Sequence, residues 1–365
     1  MALIILILLT YLGILAAFTI GYYRVIERKP IPSSNNLFIS IVVCFRNEAP
    51  NIAQLVAALK NLNYPKEDFE VIAVNDHSGD KTLILLQKAQ EELPNLKVLS
   101  LDNVEFGKKA ALHTGVHAAQ GTIIAVTDAD CCLPKEWLKQ ISNLIGNHVD
   151  LVCGPVTYSP ANFFENMAAI EFGGLVASGI GAAGIGMPMY CNGANMAFRK
   201  ELYLAANLHT NSTPSGDDVF LLHYAKQNGR NIYFAFGEES CVTTAPDKNL
   251  SDLIHRRIRW GSKTPFYTDN TSKVVAFIVL TANLSLLCLG FWCIEDSSLL
   301  PRFIALYGLK ATIEYGLLSV HFKVNNVNQW GKYFIPTALV YPFYITFTAL
   351  ASIRRKFVWK ERSYR

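Results

Sequence analysis

The stretch Thr122-Ile123-Ile124-Ala125-Val126-Thr127-Asp128-Ala129-Asp130 indicates how this chain folds. Its β-branched, apolar start predicts a buried strand over Thr122–Val126, and two carboxylates follow where that strand ends. A second run of the same kind, Phe69–Val74, is followed by Asp76. Carboxylates at strand ends suit a bound divalent cation and the polar ligand that the cation holds.

Strand-like and helix-like segments alternate on both sides of this stretch. We predict strands at Phe38–Cys44, Phe69–Val74, Leu96–Leu101 and Thr122–Val126, and helices at Asn51–Lys60, Lys81–Glu92 and Lys108–Ala119. Such an alternation predicts βαβ units and therefore an α/β fold with a mostly parallel central sheet. Ligands of parallel sheets bind at the carboxyl ends of the strands, where Asp76 and Asp128 lie.

The composition points to a membrane. Hydrophobic residues are 51% of the 365 residues and charged residues only 17%. The uncharged segment Ala2–Tyr22 is long enough to cross a hydrocarbon core of about 30 Å. A cleaved signal peptide is the alternative, but the basic residues Arg24 and Arg28 follow the apolar run instead of preceding it. We therefore predict an anchor whose C-terminal end is cytoplasmic.

The C-terminal part contains further apolar segments. Val274–Ile294 and Phe334–Ile353 are predicted spans, whereas Phe303–His321 carries Lys310 and Glu314 one helical turn apart. The basic tail from residue 354 is expected in the cytoplasm, which requires an even number of crossings after residue 274. We therefore interpret Phe303–His321 as interfacial or re-entrant, with the number of spans left open.

Two other features limit the class of protein. The Gly- and Ala-rich segment Met167–Tyr190 is interpreted as a helix and loop that line an acceptor groove near the membrane surface. The eight cysteines show no CxxC pair and no metal-ligand spacing, which predicts reduced thiols. With a net charge of +4 and basic residues near the ends of apolar segments, we expect contact with membrane lipids and none with nucleic acid.

Five polar motifs follow one another in a fixed order. They are Ile39–Glu48, Asn75–Asp80, Phe106–Gly115, Asp128–Asp130 and Cys191–Glu201, and they are followed by Gly216–Leu222 and Arg256–Trp260. The set resembles the family 2 glycosyltransferases, which are inverting enzymes with a GT-A (Rossmann-like) nucleotide-sugar-binding domain, and in particular their membrane-anchored bacterial branch. The resemblance covers roughly residues 38 to 265.

The resemblance implies a donor site. Ile39–Glu48 is similar to the family's "SVVIPAYNE", which places Glu48 at the nucleobase and ribose; the alternative is an acid that favours a helix N-terminus. Asp76 corresponds to an aspartate of "DDGSTD" that contacts uracil or ribose; the alternative is a turn cap. Lys108, from "GKAAALNTG", would meet phosphate, although Lys109 is not excluded.

The remaining motifs imply metal and acceptor residues. The resemblance assigns Asp128 to the donor sugar and Asp130 to Mg²⁺ or Mn²⁺. A match to "TGANMAFRRE" places Gly193 and Asn195 near the acceptor.

In the "EDxDL" element, Asp217 stands for the Glu and Asp218 for the catalytic base; a helix cap over Ser215–Asp218 is the structural alternative. In the "QxxRW" element, Arg259 would bind diphosphate and Trp260 would form a platform, although Arg256 replaces the Gln. A basic patch at the membrane surface is the alternative for this last element.

These motifs predict a metal-dependent hexosyl- or N-acetylhexosaminyltransferase of the inner (cytoplasmic) membrane. It would use a UDP-linked donor and a lipid-linked or polysaccharide acceptor of the cell envelope. The predicted plan is an anchor (1–23), a cytosolic GT-A domain (24–270), a membrane region of two or three segments (271–353) and a basic cytoplasmic tail (354–365). A processive polysaccharide synthase and a non-catalytic nucleotide-sugar-binding scaffold are the alternatives.

Overall fold

The computed structural model describes residues 1–28, 37–146, 148–208, 216–353, 357–359 and 362–364. It divides into two compact units. The helical unit comprises Met1–Glu27, Ser159–Met189 and Pro246–Arg365, and the α/β unit comprises Arg28–Tyr158 and Tyr190–Ala245. Residues 24–270, which the sequence analysis treats as one domain, are therefore shared between the two units.

The elements follow in chain order. They are α1 (Ala2–Glu27), β1 (Ile39–Phe45), α2 (Ile52–Lys60), β2 (Phe69–Asn75), α3 (Thr82–Glu92), β3 (Leu96–Ser100), α4 (Lys108–Ala118), β4 (Ile123–Asp128), β5 (Cys131–Cys132), α5 (Trp137–Ile145), β6 (Leu151–Cys153), β7 (Val156–Tyr158), α6 (Phe163–Gly184), β8 (Met196–Arg199), α7 (Lys200–Ala206), α8 (Asp217–Gln227), β9 (Ile232–Phe234), β10 (Val242–Thr244), α9 (Leu250–Gly261), α10 (Asn270–Glu295), α11 (Leu300–Val324), α12 (Gly331–Ser352), β11 (Phe357–Trp359) and β12 (Arg362–Tyr364).

The α/β unit is built on a seven-stranded sheet in the order β3-β2-β1-β4-β8-β6-β9. The pairs β3–β2, β2–β1 and β1–β4 are parallel, whereas β8 runs antiparallel to both β4 and β6. The four predicted strands and three predicted helices of residues 38–126 are all present. The predicted α/β class with a mostly parallel sheet is confirmed.

The centre of this sheet is apolar on both faces, as expected for parallel strands covered by helices. All seven residues of β2 are buried, and Val42 of β1 is fully buried. Helix α4 lies so close to β1 that a Cβ on Gly115 would come within 2.4 Å of the Val42 side chain. A glycine is required there because the helix could not otherwise approach the strand.

Within the part of the helical unit that the structure describes, five helices are long and apolar enough to cross a membrane by length and composition, and they include α1 and α6. A Cβ on Gly184 of α6 would lie 1.9 Å from the carbonyl oxygen of Gly21 in α1. Small residues let two backbones pack this closely, as is common between membrane helices. The hairpin of β11 and β12 also belongs to this unit.

Two apolar segments were interpreted from the sequence as something other than membrane spans. Met167–Tyr190 is a helix followed by a loop, as predicted, because α6 ends at Gly184; by length and composition α6 is also a candidate span. Phe303–His321 lies within the continuous helix α11, which has no break that a re-entrant segment would need, and the interfacial alternative stays a prediction. Lys310 and Glu314 form the expected ion pair at 2.7 Å. Of the basic tail, residues 354–356, 360, 361 and 365 lie outside the described residues.

Candidate active site

The α/β unit holds nine of the eleven predicted site residues. They are Glu48, Asp76, Lys108, Asp128, Asp130, Gly193, Asn195, Asp217 and Asp218. Arg259 and Trp260 belong to the helical unit and are described separately.

Strand register brings the acidic motifs to one edge of the sheet. Phe45 at the end of β1 is opposite Asn75 at the end of β2, and Cys44 is opposite Asp128 at the end of β4. Because these strands are parallel, the loops that follow them leave from the same edge. Asp76 and Asp128 therefore lie at the same edge of the sheet, as predicted.

Hydrogen bonds from backbone amides to side-chain oxygens join the loop after β1 to the segment that leads from β2 into α3. The Gly79 amide donates to Asn47 Oδ1 at 2.8 Å, and the Glu48 amide donates to Thr82 Oγ1 at 2.8 Å. The Glu48 carboxylate accepts a hydrogen bond from Asn51 Nδ2 at 2.6 Å. Glu48 is half-buried, so the structure holds its carboxylate at the start of the α2 region.

Asp76 is buried and held by groups from three loops. Its Oδ2 accepts the Gly107 amide at 3.0 Å, and its Oδ1 lies 3.1 Å from His77 Nδ1. The guanidinium of Arg46 donates to the Asp76 carbonyl oxygen at 3.0 Å. The sequence analysis selected Asp76 but missed Arg46 and His77. Arg46 stands where the family motif has Tyr, and His77 stands where it has Gly. These two differences from the motif could have pointed to both residues.

The two lysines at the start of α4 contact different parts of the unit. Lys108 Nζ pairs with the Asp128 carboxylate. Lys109 is buried, and its Nζ lies 5.8 Å from the ring centroid of Phe220 in α8. Burial lowers the pKa of Lys109 and the charge of Asp217 partly restores it. Neighbouring helix positions point in different directions, so the ammonium groups of Lys108 and Lys109 have different partners.

Lys108 lies between two of the candidate acids. Desolvation acts to lower its pKa, but the charges of Asp128 and, more weakly, Asp218 outweigh that effect, and the pKa is raised. Burial raises the pKa of the Cys44 thiol to about 12, with Lys108 opposing and Asp128, Asp217 and Asp76 adding to the increase. Lys108 therefore contacts Asp128 directly and is within electrostatic range of Asp218.

Asp130 is exposed to solvent, unlike Asp128, which is half-buried. Desolvation by the surrounding protein raises the pKa of Asp130, and the negative charges of Asp128 and Glu48 raise it further. A cation would relieve this concentration of negative charge. Among the described residues no cluster of three His, Cys, Asp or Glu side chains is placed to hold a metal. Mg²⁺ is usually bound by one or two carboxylates together with substrate phosphates, so the Asp128–Asp130 pair fits such an ion.

The pair at the start of α8 divides into a buried and an accessible acid. Asp217 is 6% exposed, whereas Asp218 is partly open. Asp218 Oδ2 accepts the Gly193 amide at 3.0 Å, and a Cβ on Gly193 would lie 3.3 Å from that oxygen. Gly216, with φ +107°, directly precedes the helix. The proposed cap at Ser215 lies outside the described residues.

Asn195 faces the protein interior. It is 3% exposed, accepts the Trp137 indole N–H at 2.9 Å and donates to the carbonyls of Pro155 and Ser240 at 2.7 Å each. These bonds join three segments of the α/β unit. Within the predicted acceptor region, Gly193 therefore lies at the candidate base, and Asn195 holds the surrounding backbone in place.

In the helical unit, the guanidinium of Arg257 contacts the ring of Trp260. The Arg257 guanidinium lies 4.3 Å from a Trp260 ring centroid and pairs with Glu171. Arg256 pairs with Asp247 at 3.0 Å. Arg256 and Arg257 are thus bound within their unit, which argues against a membrane-surface patch for these two. The donor-binding roles of Arg259 and Trp260 stay predictions.

Comparisons with known sequences agree with the motifs. The family model described as glycosyl transferase family 2 matches residues 40–204, and the model described as glycosyl transferase family group 2 matches residues 123–355, more than half of the chain. Glycosyltransferase AglE of Haloferax volcanii is 27% identical over 234 residues, which cover 61% of this chain and 72% of the relative.

A cyanobacterial relative matches over a shorter region. Beta-monoglucosyldiacylglycerol synthase of Trichormus variabilis is 39% identical over 105 residues. The match covers 28% of this chain and 22% of that relative, so the chain is similar to less than a quarter of the synthase.

Among solved structures, the mannosyltransferase PcManGT of Pyrobaculum calidifontis, in complex with GDP-Man and Mn²⁺, is similar with a TM-score of 0.58. The comparison covers 96% of this chain and 98% of that one at 18% identity. At this level of identity the similarity shows the GT-A-like fold alone.

Proposed function

This chain belongs to the family 2 glycosyltransferases, and we propose that it transfers a hexosyl or N-acetylhexosaminyl group from a UDP-linked donor to a lipid-linked or polysaccharide acceptor. The single observation that carries the proposal is the position of Lys108, paired with Asp128 and within electrostatic reach of the partly open Asp218. This arrangement combines a cation for a leaving diphosphate with a carboxylate for an attacking hydroxyl.

Asp218 acts as the general base in this proposal. The Gly193 amide orients its Oδ2, and the carboxylate takes the proton of an acceptor hydroxyl. The hydroxyl oxygen then forms a bond to the anomeric carbon while the bond from that carbon to the diphosphate oxygen breaks, which inverts the configuration. Asp217 is buried next to Lys109, and it holds the start of α8 without touching the acceptor.

The donor side uses the edge formed by β1, β2 and β4. Asp76 accepts hydrogen bonds from the nucleobase or ribose, Glu48 lies beside it, and Lys108 meets the leaving diphosphate. Asp130, with Asp128 beside it, would hold Mg²⁺ or Mn²⁺, and such a cation neutralises charge that develops on the diphosphate. Arg259 and Trp260 are proposed to contribute to diphosphate and acceptor binding.

A lipid-linked acceptor is favoured by the composition of the helical unit. The five candidate spans among the described residues support a membrane location, in which lipid acceptors would be available. The cyanobacterial relative is named as a synthase of a glucosyldiacylglycerol, which also is a lipid. Because nucleotide sugars are made in the cytosol, the proposal places the α/β unit on the cytoplasmic face of the inner membrane, within a multi-pass protein.

A screen of purified full-length protein tests the proposal. UDP-linked and GDP-linked sugars are offered with Mn²⁺ and membrane lipid extract, and release of nucleoside diphosphate is measured. We expect a UDP-linked donor to be consumed, with a sugar-modified lipid or glycan as product; consumption of a GDP-linked sugar alone would contradict the UDP part of the proposal. Asp218→Asn is the inactive control. The proposal would be contradicted if the folded protein consumed none of the donors with any extract or glycan.

A further inference from the structure

His77 occupies a backbone conformation that favours glycine. Its φ is +51°, and the corresponding position of the family motif "DDGSTD" is a glycine. Residues with a Cβ avoid this left-handed region because the Cβ approaches the following carbonyl oxygen. The strain indicates that the imidazole itself makes contacts that compensate for it.

Two side-chain contacts of His77 involve the candidate nucleotide site. Its Nδ1 lies 3.1 Å from Asp76 Oδ1, and because a carboxylate only accepts hydrogen bonds, Nδ1 is the donor. Its ring stacks on Phe106, with centroids 4.4 Å apart and planes inclined by 28°. Phe106 directly precedes Gly107, whose amide donates to the other oxygen of the same carboxylate.

The Asp76 carboxylate is therefore fixed from two sides. His77 donates to Oδ1 and the Gly107 amide donates to Oδ2, while the His77–Phe106 stack joins the two donating loops. Arg46 also holds this turn, because its Nη1 donates to the carbonyl oxygen of His77 at 3.3 Å. Donors on both oxygens favour the ionised carboxylate and set its direction.

We propose that His77 is a positioning and specificity-determining residue, which orients the ionised Asp76 carboxylate toward the ring N–H of a nucleobase. The inference rests on the proposed function. An ionised carboxylate accepts a hydrogen bond from the ring N–H of uracil or guanine. Cytosine and adenine present a ring nitrogen lone pair instead, which a carboxylate repels. His77 thus selects donors whose base carries a ring N–H.

The test measures binding of UDP, GDP, CDP and ADP to full-length protein with Mn²⁺ by isothermal titration, together with the melting temperature of each variant. In His77→Gly we expect the preferred diphosphate, UDP or GDP, to bind about tenfold more weakly, the effect of losing one hydrogen bond to a charged group. The affinity for CDP and ADP should change less than twofold. The ratio of the affinity for the preferred diphosphate to that for CDP or ADP should therefore fall. The melting temperature should be unchanged or higher, because glycine relieves the strained φ.

His148→Gly is the matched control. His148 also has a positive φ, +64°, but it is exposed and lies outside the candidate site. It should show the same relief of strain with no change in nucleotide binding. Phe106→Leu, which keeps an apolar side chain but removes the stack, should lower discrimination less than His77→Gly does.

The outcomes separate the two proposals. If wild-type protein binds none of the diphosphates, the proposed function fails, and this inference fails with it. If wild type binds and His77→Gly keeps both affinity and discrimination, only the role of His77 is overturned. A lower melting temperature with an equal loss for all four nucleotides would make His77 a structural residue and also overturn the role.

Discussion

The helical unit contains two ion pairs that are largely buried, whereas the α/β unit keeps an ion pair partly open at one edge of its sheet. Lys310 and Glu314 are 1% and 15% exposed, and Arg257 and Glu171 are 7% and 9% exposed. Lys108 and Asp128 are 25% and 38% exposed.

This difference separates two uses of charge. A buried pair is satisfied by its partner, and its removal is expected to affect stability. A partly open pair gains little stability because water screens it, and its charges stay accessible to a ligand. This comparison agrees with the proposal that the open charges of the α/β unit bind the donor, and with a structural role for the buried pairs of the helical unit.

The largest expected effect comes from Asp218→Asn. This change removes the proton acceptor but preserves the size of the side chain, so kcat should fall by about 10²- to 10⁴-fold while donor affinity stays within a few-fold. Steady-state kinetics and donor titration give both values. Asp217→Asn is the matched control, and loss of kcat from Asp217→Asn with none from Asp218→Asn would reverse the roles.

Glu314→Gln should act on stability and leave donor binding unchanged. It leaves the buried Lys310 ammonium without its counter-charge, which is expected to cost about 3–5 kcal/mol in the free energy of unfolding. The hydroxyl of Tyr11 donates a hydrogen bond to the Glu314 carboxylate at 2.6 Å, so the substitution also replaces this charged acceptor by a neutral amide. The melting temperature in detergent measures the loss.

The double variant Lys310→Met/Glu314→Gln is the control for that prediction, because it removes both charges. It should recover part of the lost stability. The structural role of the pair would be contradicted if Glu314→Gln melted at the wild-type temperature but bound the donor more weakly.

The two lysines of α4 offer a finer comparison inside the α/β unit. Lys108→Gln removes the partner of Asp128, and we expect KM for the donor to rise about tenfold, the effect of one charge-assisted hydrogen bond. Lys109→Gln acts on α8 through Asp217 and Phe220, so it should lower kcat more than it raises KM. Steady-state kinetics of both variants test this division. If the two variants changed KM and kcat by the same factors, the division would be wrong.

The smallest expected effect is a difference in reactivity between the adjacent thiols of Cys131 and Cys132. Cys131 is buried, and this burial, together with the charges of Asp128 and Asp130, raises the pKa of its thiol. Cys132 is exposed. In folded protein at pH 8, iodoacetamide should modify Cys132 and leave Cys131 unmodified, as read by peptide mass spectrometry. Rapid modification of Cys131 would show that the turn after β4 is not packed as described.

The sequence predicted the strands of the α/β unit well because their hydrophobic runs are short, β-branched and bounded by polar turns. It also predicted that Asp76 and Asp128 would lie at one edge, because parallel register follows from the alternation of strands and helices. It did not predict that segments 159–189 and 246–270 belong with the helical unit. That grouping depends on packing between helices, which hydrophobic content alone does not reveal.

Side-chain partners were the other limit. The sequence could not show that Arg257 lies against Trp260, because Arg257 and Arg259 fit a basic-aromatic motif equally well. It also could not separate Lys108 from Lys109, since the helix start that fixes their directions is a structural fact. Asn195 was placed near the acceptor by resemblance, but its three internal hydrogen bonds show that it joins backbone segments.

The most direct test of the central claim is release of nucleoside diphosphate from the preferred donor, measured with Mn²⁺, with excess chelator and after Mn²⁺ is restored. If the open carboxylates Asp128 and Asp130 hold a cation against the diphosphate, chelator should abolish release and Mn²⁺ should restore it, and Asp130→Ala should be inactive throughout. Full turnover in excess chelator, or wild-type turnover by Asp130→Ala, would contradict the account.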